Sequence, residues 1–305
     1  MSRGDRDGGG DATVPVDLDD REPGADAPTQ DHPYLIVLVG SRCGQMFKVD
    51  GTVTVGRGRD AGIQVTDDGV SRHHVRLTDT GDGSVKLEDL GSRNGTFVNA
   101  KRVTAALLRD GDKIHLGQTT ILKFSYADRL EEQYQTTLYQ AAIRDIPTGL
   151  FNRRHLDERL EAEFKFSVRH RRLLTAVMFD LDHFKRVNDA HGHLVGDEVL
   201  ATAARILAAG VRGEDIAARY GGEEFMVLCR DTPPPMAAAM ADRIRQQLAA
   251  AQLVPRLPDL RVTISAGVAG TQHPKINQAT DLLSAADTAL YDAKKTGRNR
   301  VVIFR

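Results

Sequence analysis

Three things are scarce in this 305-residue chain: cysteine, long apolar runs and net charge. Its two cysteines, Cys43 and Cys229, lie far apart. They are too few for a disulfide framework or a cysteine zinc site, and they suit a reducing compartment. The longest apolar run, YLIVLVG at 34–40, falls far short of the roughly 20 residues that span a bilayer. It reads as a buried strand. No basic start followed by an apolar stretch marks a secretory leader. The formal net charge is −1, which excludes bulk attraction to nucleic acid or an anionic membrane. These absences predict a cytoplasmic protein with no membrane insertion and no nucleic-acid partner.

What is present divides into four segments. Residues 1–32 are rich in Gly, Asp and Pro and poor in large apolar side chains. Such a segment buries too little to offset its ordering entropy, so a disordered tail is expected. Over 33–125, short β-type runs alternate with Gly, Asp and Asn, from YLIVLVG and TVTVG to KIHLG and ILKFS. That spacing predicts an all-β sandwich. Residues 126–144 hold no Gly or Pro, and Tyr126, Leu130, Tyr134, Leu138 and Ala141 recur at helical spacing. A connecting helix follows, with a thin apolar stripe that suits either its own domain or a dimer seam. From 145 to 305, periodicity predicts helices over 152–170, 197–210, 235–250 and 280–295, interleaved with strands at LLTAVMF, DIAARY, FMVLC, RVTISAGVA and RVVIF. IAARY and FMVLC are so close that they require an antiparallel hairpin, which makes the domain α+β rather than doubly wound.

The hairpin carries an unusual tip, YGGEEF at 220–225. Glycines there turn the chain and leave room for a ligand. Adjacent glutamates become tolerable if a divalent cation sits between them. LLTAVMFDLDHFKRVND adds Asp180 at the end of an apolar strand, then Asp182, with Lys185 five residues past Asp180. Asp180, Glu223 and Glu224 suit hard, oxygen-coordinated ions, and two Mg²⁺ with substrate phosphates would fit phosphoryl transfer. A zinc cluster of His183, His191 and His193 is the weaker reading, because those residues lie on a loop beside carboxylates.

Together these residues resemble the GGDEF-family diguanylate cyclases, with the signature in its GGEEF form at Gly221–Phe225. DIPTGLFNRR at 145–154, FDLDHFKRVND at 179–189, HGHLVGD at 191–197, TISAGVA at 263–269, ADTALYDAK at 286–294 and GRNR at 297–300 complete the pattern. Pro147 stands where the family usually has Leu. The resemblance implies a nucleotidyl-cyclase-like fold with a ferredoxin-like palm. It implies condensation of two GTP into cyclic di-GMP, with two Mg²⁺ (or Mn²⁺) per active site. Asp180, the Leu181 carbonyl, Glu223 and Glu224 would bind metal, and Glu223 would accept the 3′-hydroxyl proton. Asn188 and Asp197 would bind guanine, whose donors and acceptors suit an amide plus a carboxylate. His193 would line the nucleotide pocket, and Lys185, Lys294 and Arg298 would hold phosphates. RGED at 212–215 begins nine residues before Gly221. On the resemblance, Arg212 and Asp215 with Arg243 form a product-inhibition site for cyclic di-GMP. A bare Arg–Asp surface pair would be worth little.

In the N-terminal half, GRGRD from Gly56, GVSRHH from Gly69, LGSRNGTFVN from Leu90 and DGDKIHLG from Asp110 are polar loops capping strands. An Arg, a Ser hydroxyl and an Asn amide together suit phosphate oxygens. In this order they resemble a forkhead-associated (FHA) domain, a family that binds phosphothreonine peptides. Arg57, Ser71, Arg72 and Asn94 match its phosphopeptide contacts, with Arg93 nearby. Gly56 and His74 match structural positions, and Asn99 a peptide-backbone contact. The ligand is expected to be another protein or the chain's own tail, where Thr13 has acidic neighbours suited to a serine/threonine kinase. The whole reads as a phosphorylation-responsive cyclase acting as a homodimer. The alternatives are a non-catalytic receptor or adaptor, and a cyclase that uses ATP.

Overall fold

The computed structural model describes residues 31–40, 42–81, 83–117 and 119–305. Thr13 and residues 1–30 of the predicted tail lie outside them, whereas His32, counted with the tail, already stands in β1 opposite Ala127. The N-terminal half contains β1 (His32–Val39), β2 (Met46–Lys48), β3 (Thr52–Gly56), β4 (Ile63–Gln64), β5 (Val75–Asp79), β6 (Val85–Asp89), β7 (Thr96–Val98), β8 (Lys101–Val103), β9 (Ala105–Leu108), β10 (Lys113–Leu116) and β11 (Thr120–Ala127). One sheet runs β2-β1-β11-β10-β7-β8 and the other β4-β3-β5-β6-β9. Alternation along the strands turns Val75, Leu77 and Leu87 from one sheet against Leu35, Ile114, Leu122 and Phe124 from the other, making a single core. Strands β4, β8 and β9 carry no clear sequence signal. They are two to four residues long, too short for a period of two to register, and pairing with β3, β7 and β6 respectively holds them in place.

The connecting helix starts later than the apolar spacing suggests. Tyr126 and Ala127 finish β11, and α1 spans Arg129–Ile143. Asp128 caps it by accepting the Glu131 N–H at 2.7 Å. Tyr34 in β1 donates its hydroxyl to Glu132 at 2.8 Å and so ties the helix to the sandwich. Burial, with Glu132 adding, pushes the Tyr34 phenol up to about 12. The helix buries Tyr139 and Ile143, while Leu130, Tyr134 and Leu138 are 72%, 58% and 47% exposed. The expected stripe therefore points away from the chain's own core.

The C-terminal half contains α2 (Arg153–His170), β12 (Leu174–Leu181), α3 (Phe184–His191), α4 (His193–Gly210), β13 (Ile216–Gly221), β14 (Glu224–Arg230), α5 (Pro234–Ala250), β15 (Ile264–Gly270), α6 (Ala279–Lys295) and β16 (Val301–Ile303). The sheet order is β13-β14-β12-β15-β16. Neighbours are antiparallel except β15 and β16. This is the α+β arrangement that the hairpin required. Every residue of β12 is buried. Val177, Phe179 and Leu181 pack with α4 and α5, while Ala176 and Met178 pack with α2 and α6. Burial on both faces explains its unbroken apolar run. The short helix α3 was not expected, because its eight residues are mostly polar and bury only Phe184 and Val187. Among the described residues, no helix is long and apolar enough to cross a membrane.

Candidate functional site

The β13–β14 hairpin brings the acids together. Gly222 takes φ +45°, a left-handed conformation that glycine enters without a steric penalty. Arg219 holds the turn. Its Nε and Nη2 donate to the Gly222 carbonyl at 3.0 and 2.7 Å, and its Nη1 lies 3.2 Å from each Asp145 oxygen. The tip is thereby tied to the loop that opens the domain. On the adjacent strand Asp180 pairs directly with Glu224, and the Leu181 N–H donates to the Glu223 carbonyl at 3.3 Å. Asp180, Glu223 and Glu224 thus meet at one end of the sheet.

Their electrostatics are strained. Burial raises the pKa of all three carboxyls, and the Asp180 charge raises both glutamates further. Lys294, from α6, opposes this with its Nζ 2.6 Å from Asp180. Among the described residues no three His, Cys, Asp or Glu side chains make a cation site by themselves, and that includes the three histidines of the zinc reading. The mutually repelling, all-oxygen donors suit a hard divalent ion that keeps waters and takes phosphate oxygens. Asp182 has another job. It is buried, and it accepts from Thr263 Oγ1 at 2.6 Å, Ser265 Oγ at 2.7 Å and the Asn299 N–H at 3.0 Å. It clamps the segment that carries Arg298. Its one sequence signal is a second acid just past a buried strand.

The base-recognition candidates sit on α3 and α4. Asn188 is half-buried and lies against Gly196, where a Cβ would strike the Asn188 amide oxygen. The glycine is needed for that approach. Lys185, His193 and Asp197 are exposed on the same pair of helices. Arg298 follows α6 with φ +60°.

RGED lies at the other end of β13, roughly 17–20 Å from the tip by strand rise. Asp215 accepts the N–H groups of Arg212 and Arg230, both at 3.2 Å. The carboxylate shapes the turn. Arg243, from α5, donates to the Gly210 carbonyl at 2.7 Å, two residues before Arg212. Beside the turn is a cavity of about 350 Å³ lined by Arg42, Arg144, Arg159, Arg230 and His155. Burial first, then Arg159, Arg144 and Arg42, push the His155 imidazole down to about 4.

The sandwich loops carry the phosphate-type residues. Arg57 donates Nε to the Val70 carbonyl at 2.9 Å, Ser71 Oγ accepts the Arg93 N–H at 3.1 Å, and Asn94 donates to the Gly69 carbonyl at 2.7 Å. Arg72, Arg93 and Asn94 are exposed. His74 is fully buried, with Nδ1 3.1 Å from the Ser71 N–H and Nε2 3.2 Å from the Gly95 carbonyl. Those partners require the Nε2–H tautomer. Burial lowers the His74 pKa, which keeps that neutral form. The Asn99 amide donates to Asp112 at 2.7 Å and accepts from the Lys113 N–H at 3.0 Å, which holds the side chain in its turn.

Two family models match the chain. Residues 142–300 match the model of the diguanylate cyclase GGDEF domain, and residues 53–117 match the FHA domain. The chain belongs to the GGDEF family. It is 38% identical over 182 residues to the probable diguanylate cyclase DgcC of Escherichia coli, covering 60% of this chain and 48% of that one. It is 38% identical over 187 residues to the response regulator PleD of Caulobacter vibrioides, covering 61% and 41%. The match thus takes in less than half the length of either relative. Among solved structures, the GGDEF domain of DgcB from Caulobacter crescentus, in complex with c-di-GMP, superposes with a TM-score of 0.51 at 30% identity, covering 54% of this chain and 94% of that one. Diguanylate cyclase SiaD from Pseudomonas aeruginosa, in complex with its activator SiaC, gives a TM-score of 0.51 at 37% identity, covering 57% and 69%.

Proposed function

We propose that the chain is a diguanylate cyclase that condenses two GTP into cyclic di-GMP and two pyrophosphates, under control of a phosphothreonine-reading sandwich. The convergence of Asp180, Glu223 and Glu224 beside Lys294 carries this reading. Asp180, the Leu181 carbonyl, Glu223 and Glu224 would hold two Mg²⁺ (or Mn²⁺). When bound, these ions would stabilise phosphate charge and acidify the attacking hydroxyl. Asn188 and Asp197 orient guanine, with His193 beside the base. Lys185, Lys294 and Arg298 hold the triphosphate. Glu223 accepts the 3′-hydroxyl proton as the 3′-oxygen bonds to the α-phosphorus of the other GTP. The bond from that phosphorus to the β-phosphate bridging oxygen breaks, and pyrophosphate leaves. The same exchange in the opposite sense closes the ring. One site holds one GTP, so two chains must face each other. The exposed Leu130, Tyr134 and Leu138 on α1 supply an apolar seam for that homodimer.

Incubation of purified protein with GTP and Mg²⁺ tests the reading. Cyclic di-GMP and pyrophosphate should form in a 1:2 ratio, ATP should remain, and Asp180→Asn should abolish turnover. Failure to form product from GTP while guanine nucleotides still bind would leave the receptor reading. Arg212, Asp215 and Arg243 are assigned to product inhibition. Arg212→Ala should therefore keep turnover high at product concentrations that stop the wild type. An unchanged inhibition curve refutes that assignment. A serine/threonine kinase acting on Thr13, or on another protein, would supply the phosphothreonine for Arg57, Ser71, Arg72, Arg93 and Asn94. Mass spectrometry of protein from its native cell identifies which.

A further inference from the structure

The loops that carry Arg57 and Ser71 also grip the cyclase. Helix α2 presents Glu163, Phe166 and Arg169 at helical spacing, so the three share a face. The Arg59 guanidinium lies 3.5 Å from the Phe166 ring centroid and 3.9 Å from Glu163 Oε2. Asp68 accepts from Arg169 at 3.0 Å. Two residues from two loops, making three contacts, therefore seat the sandwich on one helix face. Glu163 is buried and is anchored by Arg159 at 2.6 Å and by Arg230 at 2.6 and 2.9 Å. The receiving surface is rigid.

The gripping residues are interleaved with the phosphate-type ones. Arg59 follows Arg57 by two positions, and Asp68 precedes Ser71 by three. The loops are laced together, with the Arg57 N–H on the Ser71 carbonyl and the Gly58 N–H on the Arg72 carbonyl, both at 3.0 Å. Those two bonds couple the positions of the loops. Arg169 first, with Arg57 adding, holds the Asp68 carboxyl below the usual carboxylate range. The Arg57 charge therefore reaches Asp68, one of the two residues that meet α2.

We propose that the outward face of α2 is a docking surface for the phosphate-recognition loops, and that α2 and a phosphothreonine peptide bind those loops at each other's expense. This rests on the phosphothreonine reading of the sandwich. A phosphate dianion reaching Arg57, Ser71 and Arg72 competes with Asp68 for the Arg57 field. Acidic residues flanking the phosphothreonine compete with the Phe166 ring and Glu163 for Arg59. Coupling between two binding events is reciprocal: the factor by which the peptide weakens the α2 contact is the factor by which that contact weakens peptide binding, so loosening the contact strengthens peptide binding by up to that factor.

The test uses the full chain and a pool of phosphothreonine peptides with degenerate flanks, with the unphosphorylated pool as control. Phe166→Ala removes the ring under Arg59. Arg169→Ala removes the Asp68 partner at an exposed position that does not threaten folding. Phe166→Ala should bind the phosphorylated pool about 3- to 10-fold more tightly than the wild type, as expected for the loss of one cation–π contact. Arg169→Ala should fall between the two. Adding the pool to the wild type should speed amide exchange across residues 163–170. Equal affinities in all three proteins overturn the coupling and leave the phosphothreonine reading intact. Binding to none of them overturns both.

Discussion

The sandwich loops and the β-hairpin tip both hold phosphate-type chemistry, but they are built in opposite ways. In the sandwich, Arg57, Ser71 and Asn94 already have backbone partners. The loops are braced before any ligand arrives, and their charges are guanidinium groups that need no change of state to meet a phosphate. At the tip, burial raises the pKa of three neighbouring carboxyls and the Asp180 charge raises both glutamates further, with Lys294 as partial compensation. That site is electrostatically incomplete. Preorganised recognition can be stable alone, whereas a catalytic centre made for cations holds like charges that only its ligands reconcile.

The largest test of that contrast is Glu223→Gln. It should lower kcat about 10³-fold or more, since in the proposed reaction Glu223 is both proton acceptor and metal ligand. The same change should raise the unfolding temperature of the metal-free protein by about 1–3 °C, because one of three crowded charges is gone. A fall in that temperature would break the comparison. Next comes Arg219→Ala, which frees the tip from Asp145. We expect kcat to drop roughly 10- to 100-fold with KM little changed, as a loss of positioning demands. A change in KM alone would assign Arg219 to substrate binding instead. On the sandwich side, Ser71→Ala should weaken phosphothreonine-peptide binding about 10-fold, the scale of a charge-assisted hydrogen bond. Calorimetry should find the unfolding temperature little moved.

The smallest effect concerns the arginine-lined cavity. His155 stays neutral in the folded chain down to about 4, whereas in the unfolded chain it takes a proton near pH 6.5. Its contribution to stability is thus complete above pH 6.5 and is lost as pH falls from there towards 4. The full shift is worth about 3 kcal/mol. Partial exposure discounts it to about 1 kcal/mol. His155→Gln should therefore lose roughly 2–4 °C less in unfolding temperature than the wild type between pH 7 and pH 4.5. Parallel curves would show that the imidazole is not held neutral.

Legibility in the sequence followed length and locality. β12 was readable because eight buried residues leave an unbroken apolar run, and the hairpin because two such runs lie close together. β4 and α3 were not, since two residues or a polar single turn pair carry too little pattern. Within the site, Asp180 and Asp182 look alike in FDLD. One faces Lys294, and the other is used up on Thr263, Ser265 and Asn299. The bonds that tie Asn99 to Asp112 and Lys113 join residues far apart in the chain and leave no mark in the sequence.

By itself the sequence settled which chemical groups exist and roughly where along the chain they fall. It supplied the acids at strand ends, the glycines of the tip, the four polar loops of the sandwich and the near absence of thiols and net charge. Tertiary structure alone decided which of those groups are committed and which remain open. It placed Lys294 on Asp180 and Arg219 between Gly222 and Asp145, left the α1 stripe exposed, and set Arg59 over Phe166. The reason is physical. Periodicity reports which face of an element is apolar, whereas a hydrogen bond or ion pair between distant residues depends on register and packing, which are set when the elements meet.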